Sequence, residues 1–411
     1  MAKTLALFFD GTWNTPEELI EPTFWLRAKT LIKSLVASGS GPKATTTTDV
    51  TNVLKLMRAV FPSESCVAQA CRACKRPGTR AIYPREQVSL YFSGVGTDPS
   101  PVSRWVEGAF GYGIDRDIQQ AYQFIAQNFM SGDNLYLFGF SRGAFTARSL
   151  AGFLDVFGFI APHQMYRLPE VYKMYENAAD EIGLKAAKEF VKELARNIRW
   201  KGKEAIRIWF LGVWDTVGAL WRLHPKLRRF HQTELPSNVH HAYQALALHE
   251  VREDFAPVLW TKIEPWQKVQ QVWFPGSHSD VGGGYDPGHS GLSDIALKWM
   301  ACRAMEASLA LDIDYLKAFR PNPTAPLNDE HKGSLTKWGY PTPRKILRGD
   351  FTNARDFWST IGIHQSAVVR PAPSGYRDVD LSRALDRAHM NGRRLVGDLG
   401  LPGIVAESCV W

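Results

Sequence analysis

Ser141 lies in a Gly-Phe-Ser-Arg-Gly sequence at residues 139–143, between a short apolar run and an amphipathic helix pattern. The run at 135–138 has the length and aromatic content of a buried strand. Apolar positions then recur at the spacing of one helix face over 144–154. A serine at a sharp strand-to-helix turn needs small neighbours, because the flanking backbones approach closely. The sequence therefore predicts that Ser141 is a nucleophile, and the alternative is a tight turn whose serine only caps the helix.

Two other predicted strands end in residues that could complete a nucleophilic site. Asp215 follows the apolar run at 206–214, and His278 follows the run at 269–274. Acyl transfer by serine needs a base to take the hydroxyl proton and a carboxylate to orient that base. The carboxyl ends of parallel strands meet at one edge of a sheet, and the order Ser, Asp, His is that of α/β-hydrolases. We therefore expect Ser141, Asp215 and His278 to form a catalytic triad.

Alternatives remain open for the base and for the acid. The chain has 11 histidines, of which His249 and His289 are weaker candidates for the base. His278 is preferred because it opens a glycine-rich loop directly after a strand. Asp280 is the alternative acid, although a carboxylate two residues from His278 is better placed to hold the loop.

The loop after the first strand could supply part of an oxyanion hole. The apolar run at 5–9 ends in Asp10-Gly11-Thr12. A tetrahedral intermediate needs two preorganised donors, and we expect the backbone N–H of Arg142 together with that of Gly11 or Thr12. Asp10 would then be structural, bonding loop amides. The alternative, a metal held by Asp10 and Asp280, lacks a compact set of ligands.

Composition and charge are those of an ordinary globular protein. The 411 residues are 45% hydrophobic and 22% charged, with a formal net charge of +8. Basic clusters occur at 72–80, 222–229 and 344–348; they could meet phosphate or an anionic membrane surface, but a solvated surface is the simpler interpretation. No nucleic-acid-binding motif accompanies them, so a nucleic acid is not expected as a partner.

Neither a secretory signal nor a membrane-spanning stretch is recognisable, which predicts a cytoplasmic location where the chain is made. Five cysteines make extensive disulfide bonding unexpected. Cys66, Cys71 and Cys74 have a spacing that can hold a metal or an iron–sulfur cluster, but a fourth ligand is not evident. We expect no metal and no cofactor, and interpret this stretch as a polar insertion with free thiols or one local disulfide.

Strand and helix patterns alternate along the chain and predict an α/β fold with a mainly parallel, doubly wound sheet. We expect a catalytic domain at 1–310 and an irregular C-terminal extension at 311–411 that packs on it. Residues 220–268 are interpreted as an insertion with helical pieces, including 243–249. The other insertions are expected at about 15–50, 62–86 and 160–200.

Eight motifs between about residue 5 and about residue 380 jointly resemble one family. They are FDGTWN at 9–14, TNV at 51–53, GVGT at 94–97, GFSRGA at 139–144, GVWDTVG at 212–218, FPGSHSDVGGGY at 274–285, LSDIA at 292–296 and IHQS at 363–366. The chain resembles the bacterial and fungal proteins grouped as an uncharacterised α/β-hydrolase domain, which include the Tle1-like phospholipase effectors of type VI secretion.

The resemblance implies an α/β-hydrolase fold, the triad at Ser141, Asp215 and His278, and ester hydrolysis with phospholipids as substrates. It also implies a transient contact with a membrane surface, a partner in the secretion machinery or an immunity protein, and delivery to a target cell by type VI secretion. Three hypotheses follow: a serine esterase of phospholipase A type, an esterase or thioesterase for small soluble substrates, and a catalytically silent binding protein on the same fold.

Overall fold

The computed structural model describes residues 2–11, 50–61, 86–94, 109–177, 183, 185–190, 206–217, 234–252, 255–328, 344, 361–364 and 366–367. Its strands are β1 (Thr4–Phe9), β2 (Gln87–Phe92), β3 (Asn134–Phe140), β4 (Ile208–Trp214), β5 (Val239–Ala247), β6 (Lys268–Phe274) and β7 (Ile361–Ile363). They form one seven-stranded sheet in the order β2-β1-β3-β4-β5-β6-β7, in which every pairing is parallel.

Helices cover both faces of this sheet. They are α1 (Asn52–Ala59), α2 (Ala109–Asn128), α3 (Arg142–Phe157), α4 (Leu168–Asn177), α5 (His278–Gly282), α6 (Gly291–Glu306) and α7 (Ile313–Leu316), with a 3-10 helix at Pro162–Arg167. One apolar core joins the sheet to α2, α3 and α4, and a second core joins the opposite face to α1 and α6. The predicted α/β fold with a parallel, doubly wound sheet is therefore confirmed.

The apolar runs of the sequence become central strands because both of their faces are buried. In β3, Leu135 and Leu137 belong to one core, while Tyr136 and Phe138 belong to the other. This alternation is the period of two that a pleated strand imposes on its side chains. A strand buried on both sides therefore shows a continuous apolar run rather than alternating polar and apolar residues.

Strand β5 corrects the sequence analysis, which predicted helix at 243–249. Residues 239–247 pair with β4 on one side and β6 on the other, in the body of the sheet. The sequence Ala-Tyr-Gln-Ala-Leu-Ala-Leu is rich in helix formers. Here the ladder bonds of two neighbouring strands and burial on both faces outweigh that intrinsic preference.

The sheet also takes a strand from the C-terminal part of the chain, because β7 pairs with β6. The predicted boundary between a catalytic domain and an extension, and the limits of the insertions, stay predictions. Cys66, Cys71 and Cys74 lie outside the described residues, whereas Cys302 on α6 is disulfide-bonded. None of the helices in the described ranges is long and apolar enough to cross a membrane.

The order of the strands creates a natural binding position at one edge. From β1 the chain crosses to β2 on one side, while β3 lies on the other side of β1. In open parallel sheets ligands bind at the carboxyl ends of the strands beside such a switch point. Asp10 directly follows β1, Ser141 follows β3 and Asp215 follows β4, so the fold places all three residues along this edge.

Candidate active site

Ser141 occupies a strained turn between β3 and α3. Its backbone angles are φ 57° and ψ −118°, a combination that residues with a side chain rarely adopt. Two backbone hydrogen bonds hold the turn: the Ser141 N–H donates to the Trp214 carbonyl at 3.0 Å, and the Phe145 N–H donates to the Ser141 carbonyl at 3.2 Å. The turn has the strained strand-to-helix geometry that a nucleophile elbow requires.

Gly139 and Gly143 are required because the backbone leaves no room for a side chain at either position. A Cβ atom at Gly139 would lie 2.4 Å from the Gly143 carbonyl oxygen. A Cβ atom at Gly143 would lie 2.1 Å from the Phe9 carbonyl oxygen and 2.6 Å from that of Asp10. The start of α3 is thus pressed against the end of β1, which brings the Asp10 loop beside the nucleophile.

Replacing Gly143 with alanine is expected to lower the free energy of unfolding by about 2–3 kcal/mol, since the methyl group would collide with backbone atoms that cannot rotate away. Urea unfolding followed by circular dichroism measures this loss. Gly288→Ala is the matched control, because Gly288 is exposed. A Cβ atom there would meet only the end of the Asp286 side chain, at 3.1 Å. Equal stability of the two variants would contradict the close approach of α3 to β1.

His278 begins α5 and contacts the carboxylate of Asp215. Its Nδ1 lies 2.7 Å from Asp215 Oδ2. The imidazole lies between two phenyl rings, with centroids 4.6 Å from Phe140 and 4.9 Å from Phe255. An ionised carboxylate only accepts, so Nδ1 carries a proton, and in the neutral ring Nε2 then keeps a lone pair. This tautomer is the one that a general base needs.

The other ring nitrogen of His278, Nε2, is buried and has no hydrogen-bond partner among the described residues. Ser141 Oγ, at the end of β3, is therefore not hydrogen-bonded to His278 Nε2 in this structure. Nucleophile–base contacts are often longer in structures without substrate and tighten when substrate binds. The lone pair of Nε2 remains the acceptor that the nucleophile's proton would need.

Asp215 is fully buried and is surrounded by donors. The Ala247 N–H donates to Oδ1 at 2.9 Å, and the guanidinium of Arg344 donates to Oδ1 at 2.6 Å and to Oδ2 at 2.9 Å. Burial alone would raise the pKa of Asp215. The charge of Arg344 and the hydrogen bond from His278 outweigh that effect and hold the pKa well below its ordinary value. The carboxylate of Asp215 is therefore ionised at neutral pH.

Sequence reasoning missed Arg344, which it assigned to a basic surface cluster at 344–348. The side chain is instead 3% exposed and is paired with Asp215, 129 residues earlier in the chain. No local periodicity or motif marks such a long-range pair. Only the principle that a buried carboxylate needs a partner could have prompted a search for a cation.

Asp280, the alternative acid, bonds to its own loop. Its Oδ2 accepts from the Ser277 N–H at 2.9 Å, and its Oδ1 accepts from the Asn328 amide at 2.6 Å. Ser277 and Asp280 together form a capping box at the start of α5. In the described structure Asp280 makes no hydrogen bond to His278, so the geometry favours Asp215 as the acid and a loop-holding role for Asp280.

The other histidines considered from the sequence are placed less favourably. His249 Nδ1 accepts from the Gly276 N–H at 2.8 Å and so supports the loop before α5. The side chain of His289 is 55% exposed and is paired with Asp286. His240 and His241 lie at the amino end of β5, the edge of the sheet opposite Ser141.

Three donors bind the carboxylate of Asp10, and one of these bonds has a consequence for the oxyanion hole. Its carboxylate accepts from the Gly11 N–H, the Thr51 hydroxyl and the Tyr91 hydroxyl, each at 2.6 Å. Because the Gly11 N–H is already committed to Asp10, this conformation does not offer it to an oxyanion. Thr12 lies outside the described residues, and the donation from the Arg142 N–H stays a prediction.

Three of the sequence motifs meet behind the loop that carries His278. The Asn52 amide donates to the carbonyls of Val281 and Ser293, both at 2.9 Å. A Cβ atom at Gly282 would lie 1.9 Å from the ring of Phe140, so this glycine lets α5 pack against the residue before the nucleophile. The motifs at 51–53, 274–285 and 292–296 thus fix the His278 loop relative to β3.

Metal chemistry receives no support from the part of the chain that the structure describes. Within those ranges no group of three or more His, Cys, Asp or Glu side chains could hold a metal ion. Asp10 and Asp280, considered together as ligands from the sequence, instead bond to separate sets of protein donors.

Comparison with known proteins gives a family match and more distant relatives. A family model described as the catalytic domain of the Tle1-like type VI secretion phospholipase effectors matches residues 3–303. The uncharacterized protein YEL023C of Saccharomyces cerevisiae is 28% identical over 196 residues, which cover 43% of this chain and 28% of the relative.

Two solved structures are also similar. The Tle1 effector bound to the VgrG spike from the type 6 secretion system is 21% identical with a TM-score of 0.35, over 71% of this chain and 53% of that chain. An uncharacterized protein from Pseudomonas aeruginosa is 19% identical with a TM-score of 0.39, over 78% of this chain and 49% of that chain. The chain thus spans only part of the length of each relative. Because the family model matches well over half of the sequence, the chain belongs to the family of Tle1-like type VI secretion phospholipase effector catalytic domains.

Proposed function

We propose that this protein hydrolyses the carboxylic ester bonds of phospholipids through an acyl-enzyme, as a phospholipase of A type. The observation that carries the proposal is the 2.7 Å contact between His278 Nδ1 and buried Asp215, at the same sheet edge as Ser141 on its strained turn. Membership of the phospholipase effector family supports a lipid ester as the substrate class.

The proposed reaction has two halves that use the same three side chains. Ser141 Oγ attacks the ester carbonyl carbon while its proton passes to His278 Nε2, and Asp215 stabilises the imidazolium that forms. The tetrahedral intermediate collapses, the C–O bond breaks, and the leaving alkoxide takes the proton from Nε2. Water then attacks the acyl-enzyme with His278 again as base, which releases the fatty acid and restores the Ser141 hydroxyl.

Negative charge on the carbonyl oxygen must be met by donors that are already in place. We assign one to the Arg142 N–H, because it follows the nucleophile at the start of α3. The second is assigned to the loop after β1. The candidates there are the N–H groups of Gly11 and Thr12, of which Gly11 would first have to release its hydrogen bond to the Asp10 carboxylate.

Product analysis tests the proposal directly. Purified protein is incubated with phosphatidylethanolamine and phosphatidylglycerol vesicles, and in parallel with short-chain nitrophenyl esters and acyl thioesters. Phospholipase A chemistry releases a free fatty acid and a lysophospholipid in equal amounts. Diacylglycerol or phosphatidic acid would instead show cleavage of a phosphate ester, and turnover of soluble esters alone would favour the small-substrate hypothesis.

The proposal also includes delivery by type VI secretion and a partner in that machinery, since the family is named for such effectors. In the producing organism, inactivating the secretion tube should retain the protein inside the cell and protect neighbouring target cells. Intoxication of the target that persists without the tube would argue against this route while leaving the hydrolase proposal intact.

A further inference from the structure

The two terminal nitrogens of Arg344 bind the carboxylate of Asp215 and two backbone carbonyls beside it. Its Nη1 donates to Asp215 Oδ1 at 2.6 Å and to the Ala247 carbonyl at 2.8 Å. Its Nη2 donates to Asp215 Oδ2 at 2.9 Å and to the Phe255 carbonyl. The pairing of two nitrogens with two oxygens is the forked arrangement that only a guanidinium provides.

These contacts fix the orientation of the Asp215 carboxylate. Oδ1 of Asp215 accepts from Arg344 and from the Ala247 N–H, and Oδ2 accepts from Arg344 and from His278. With both oxygens held, the carboxylate cannot rotate away from the imidazole. Arg344 also binds the carbonyl of Phe255, whose ring packs edge-on against His278 at 4.9 Å. Arg344 therefore holds two of the groups that contact the His278 ring, the Asp215 carboxylate and Phe255.

No other cation replaces this pairing among the described residues. Arg252, which stacks on Phe255, is bonded to Glu250 at 2.7 Å. Glu250 in turn accepts from the His278 backbone N–H at 3.2 Å. Arg252 and Glu250 thus neutralise each other, and the buried charge of Asp215 depends on Arg344.

We propose that Arg344 is a positioning residue for ester hydrolysis, which holds the carboxylate of Asp215 aimed at His278 from the C-terminal part of the chain. This inference rests on the proposed function. Arg344 lies beyond the residues 3–303 that the family model matches, so the matched part alone would lack the clamp. Catalysis would then require the chain after α7 as well as the sheet that carries the triad.

Kinetics of Arg344→Ala and Arg344→Lys in the full chain test this inference. We expect kcat to fall by about 100-fold in Arg344→Ala with little change in KM, because the acid is no longer held within a fraction of an ångström. Arg344→Lys keeps the positive charge but loses the paired hydrogen bonds, so its kcat should lie between those of the native protein and Arg344→Ala. Millimolar guanidinium ion should restore part of the activity of Arg344→Ala and none of that of Asp215→Asn.

The pH profile separates a positioning role from a structural one. In the native site burial would raise the pKa of Asp215, and Arg344 together with His278 holds it low. Without Arg344 the effect of burial prevails, so Asp215 takes up a proton at a higher pH and the acid limb of kcat/KM shifts to higher pH. In Arg344→Ala the titratable group that contacts Asp215 is His278. Glu250 binds the His278 backbone N–H and is paired with Arg252, so these two charges are the next nearest by contact.

Arg303→Ala is the matched control, since Arg303 on α6 is equally buried and is paired with Glu306 at 2.8 Å. It should lose stability without shifting the pH profile. If Arg344→Ala does not fold, Arg344→Lys decides: wild-type kcat and an unchanged acid limb in that variant overturn the inference. Ser141→Ala in the same assay separates the two failures. If Arg344→Lys overturns the inference while Ser141→Ala is inactive, only the role of Arg344 is wrong. If Ser141→Ala is active, the proposed function itself is wrong.

Discussion

Replacing Ser141 with alanine is expected to reduce ester hydrolysis by about 10⁶-fold, the loss seen when other serine hydrolases lose the nucleophile. Only the hydroxyl oxygen is removed, and in the described structure that oxygen makes no side-chain hydrogen bond. The strained backbone of the turn is set by Gly139, Gly143 and the bonds to β4, which the substitution leaves in place. The thermal unfolding midpoint should therefore stay close to that of the native protein.

A fluorophosphonate probe provides the second readout for this prediction. The probe should label the native protein at Ser141 and should not label Ser141→Ala. Ser149→Ala is the matched control, because Ser149 is a buried serine on the same helix, α3, away from the turn. Full turnover in folded Ser141→Ala, or labelling at another serine, would rule out the acyl-enzyme at this position.

His278 follows β6, whose first half is polar or partly exposed, but Ser141 and Asp215 could be chosen from the sequence because each directly follows a strand that is buried on both faces. Such strands are continuous apolar runs, as in β3 and β4, and their ends are marked by an abrupt polar residue. Because the strands are parallel, their carboxyl ends lie at the same edge of the sheet, which brings the three positions to that edge although they are far apart in the sequence. Asp10 could likewise be assigned to a loop, since it stands beside Gly11, whereas Asp280, also expected in a loop, lies in the short helix α5.

Three features of the fold and the site depend on contacts that no local pattern encodes. The composition of β5 favours a helix, and only its neighbours β4 and β6 make it a strand. Arg344 reaches Asp215 across 129 residues, so its neighbourhood in the sequence suggests a solvated basic cluster. Likewise, the bond from the Gly11 N–H to Asp10 depends on the rotamer of one carboxylate, which the spacing of the motif does not determine.

Replacing Asp215 with asparagine is expected to lower kcat by about 10⁴-fold, as in other triads. Four hydrogen bonds converge on this carboxylate, from His278, from the Ala247 N–H and from the two nitrogens of Arg344. An asparagine offers one oxygen and one NH₂ group. If its oxygen faces Arg344 and Ala247, its NH₂ faces His278 and Nδ1 must become the acceptor. The proton then sits on Nε2, and the imidazole cannot take the proton of Ser141.

Asp280→Asn is the matched comparison, because it makes the same chemical change in a buried carboxylate two residues from the base. Asp280 accepts from Ser277 and Asn328 and does not bond to the imidazole. Its replacement should cost about 1 kcal/mol of stability through the weakened cap of α5, with kcat changed by about tenfold or less. Should Asp280→Asn show the larger loss of kcat while Asp215→Asn stays active, the roles of the two carboxylates would have to be exchanged.

Stability data make the Asp215→Asn result interpretable. The substitution leaves the buried guanidinium of Arg344 without its counter-charge, which costs about 3–5 kcal/mol when one partner of a buried pair is removed. Kinetics must therefore be measured well below the unfolding midpoint of the variant. The double variant Asp215→Asn with Arg344→Gln removes both charges and should recover much of the stability. It should recover none of the kcat, because a neutral residue 215 cannot stabilise the imidazolium that forms on His278 in the transition state. Recovery of turnover together with stability would mean that Asp215 serves the fold and not the reaction.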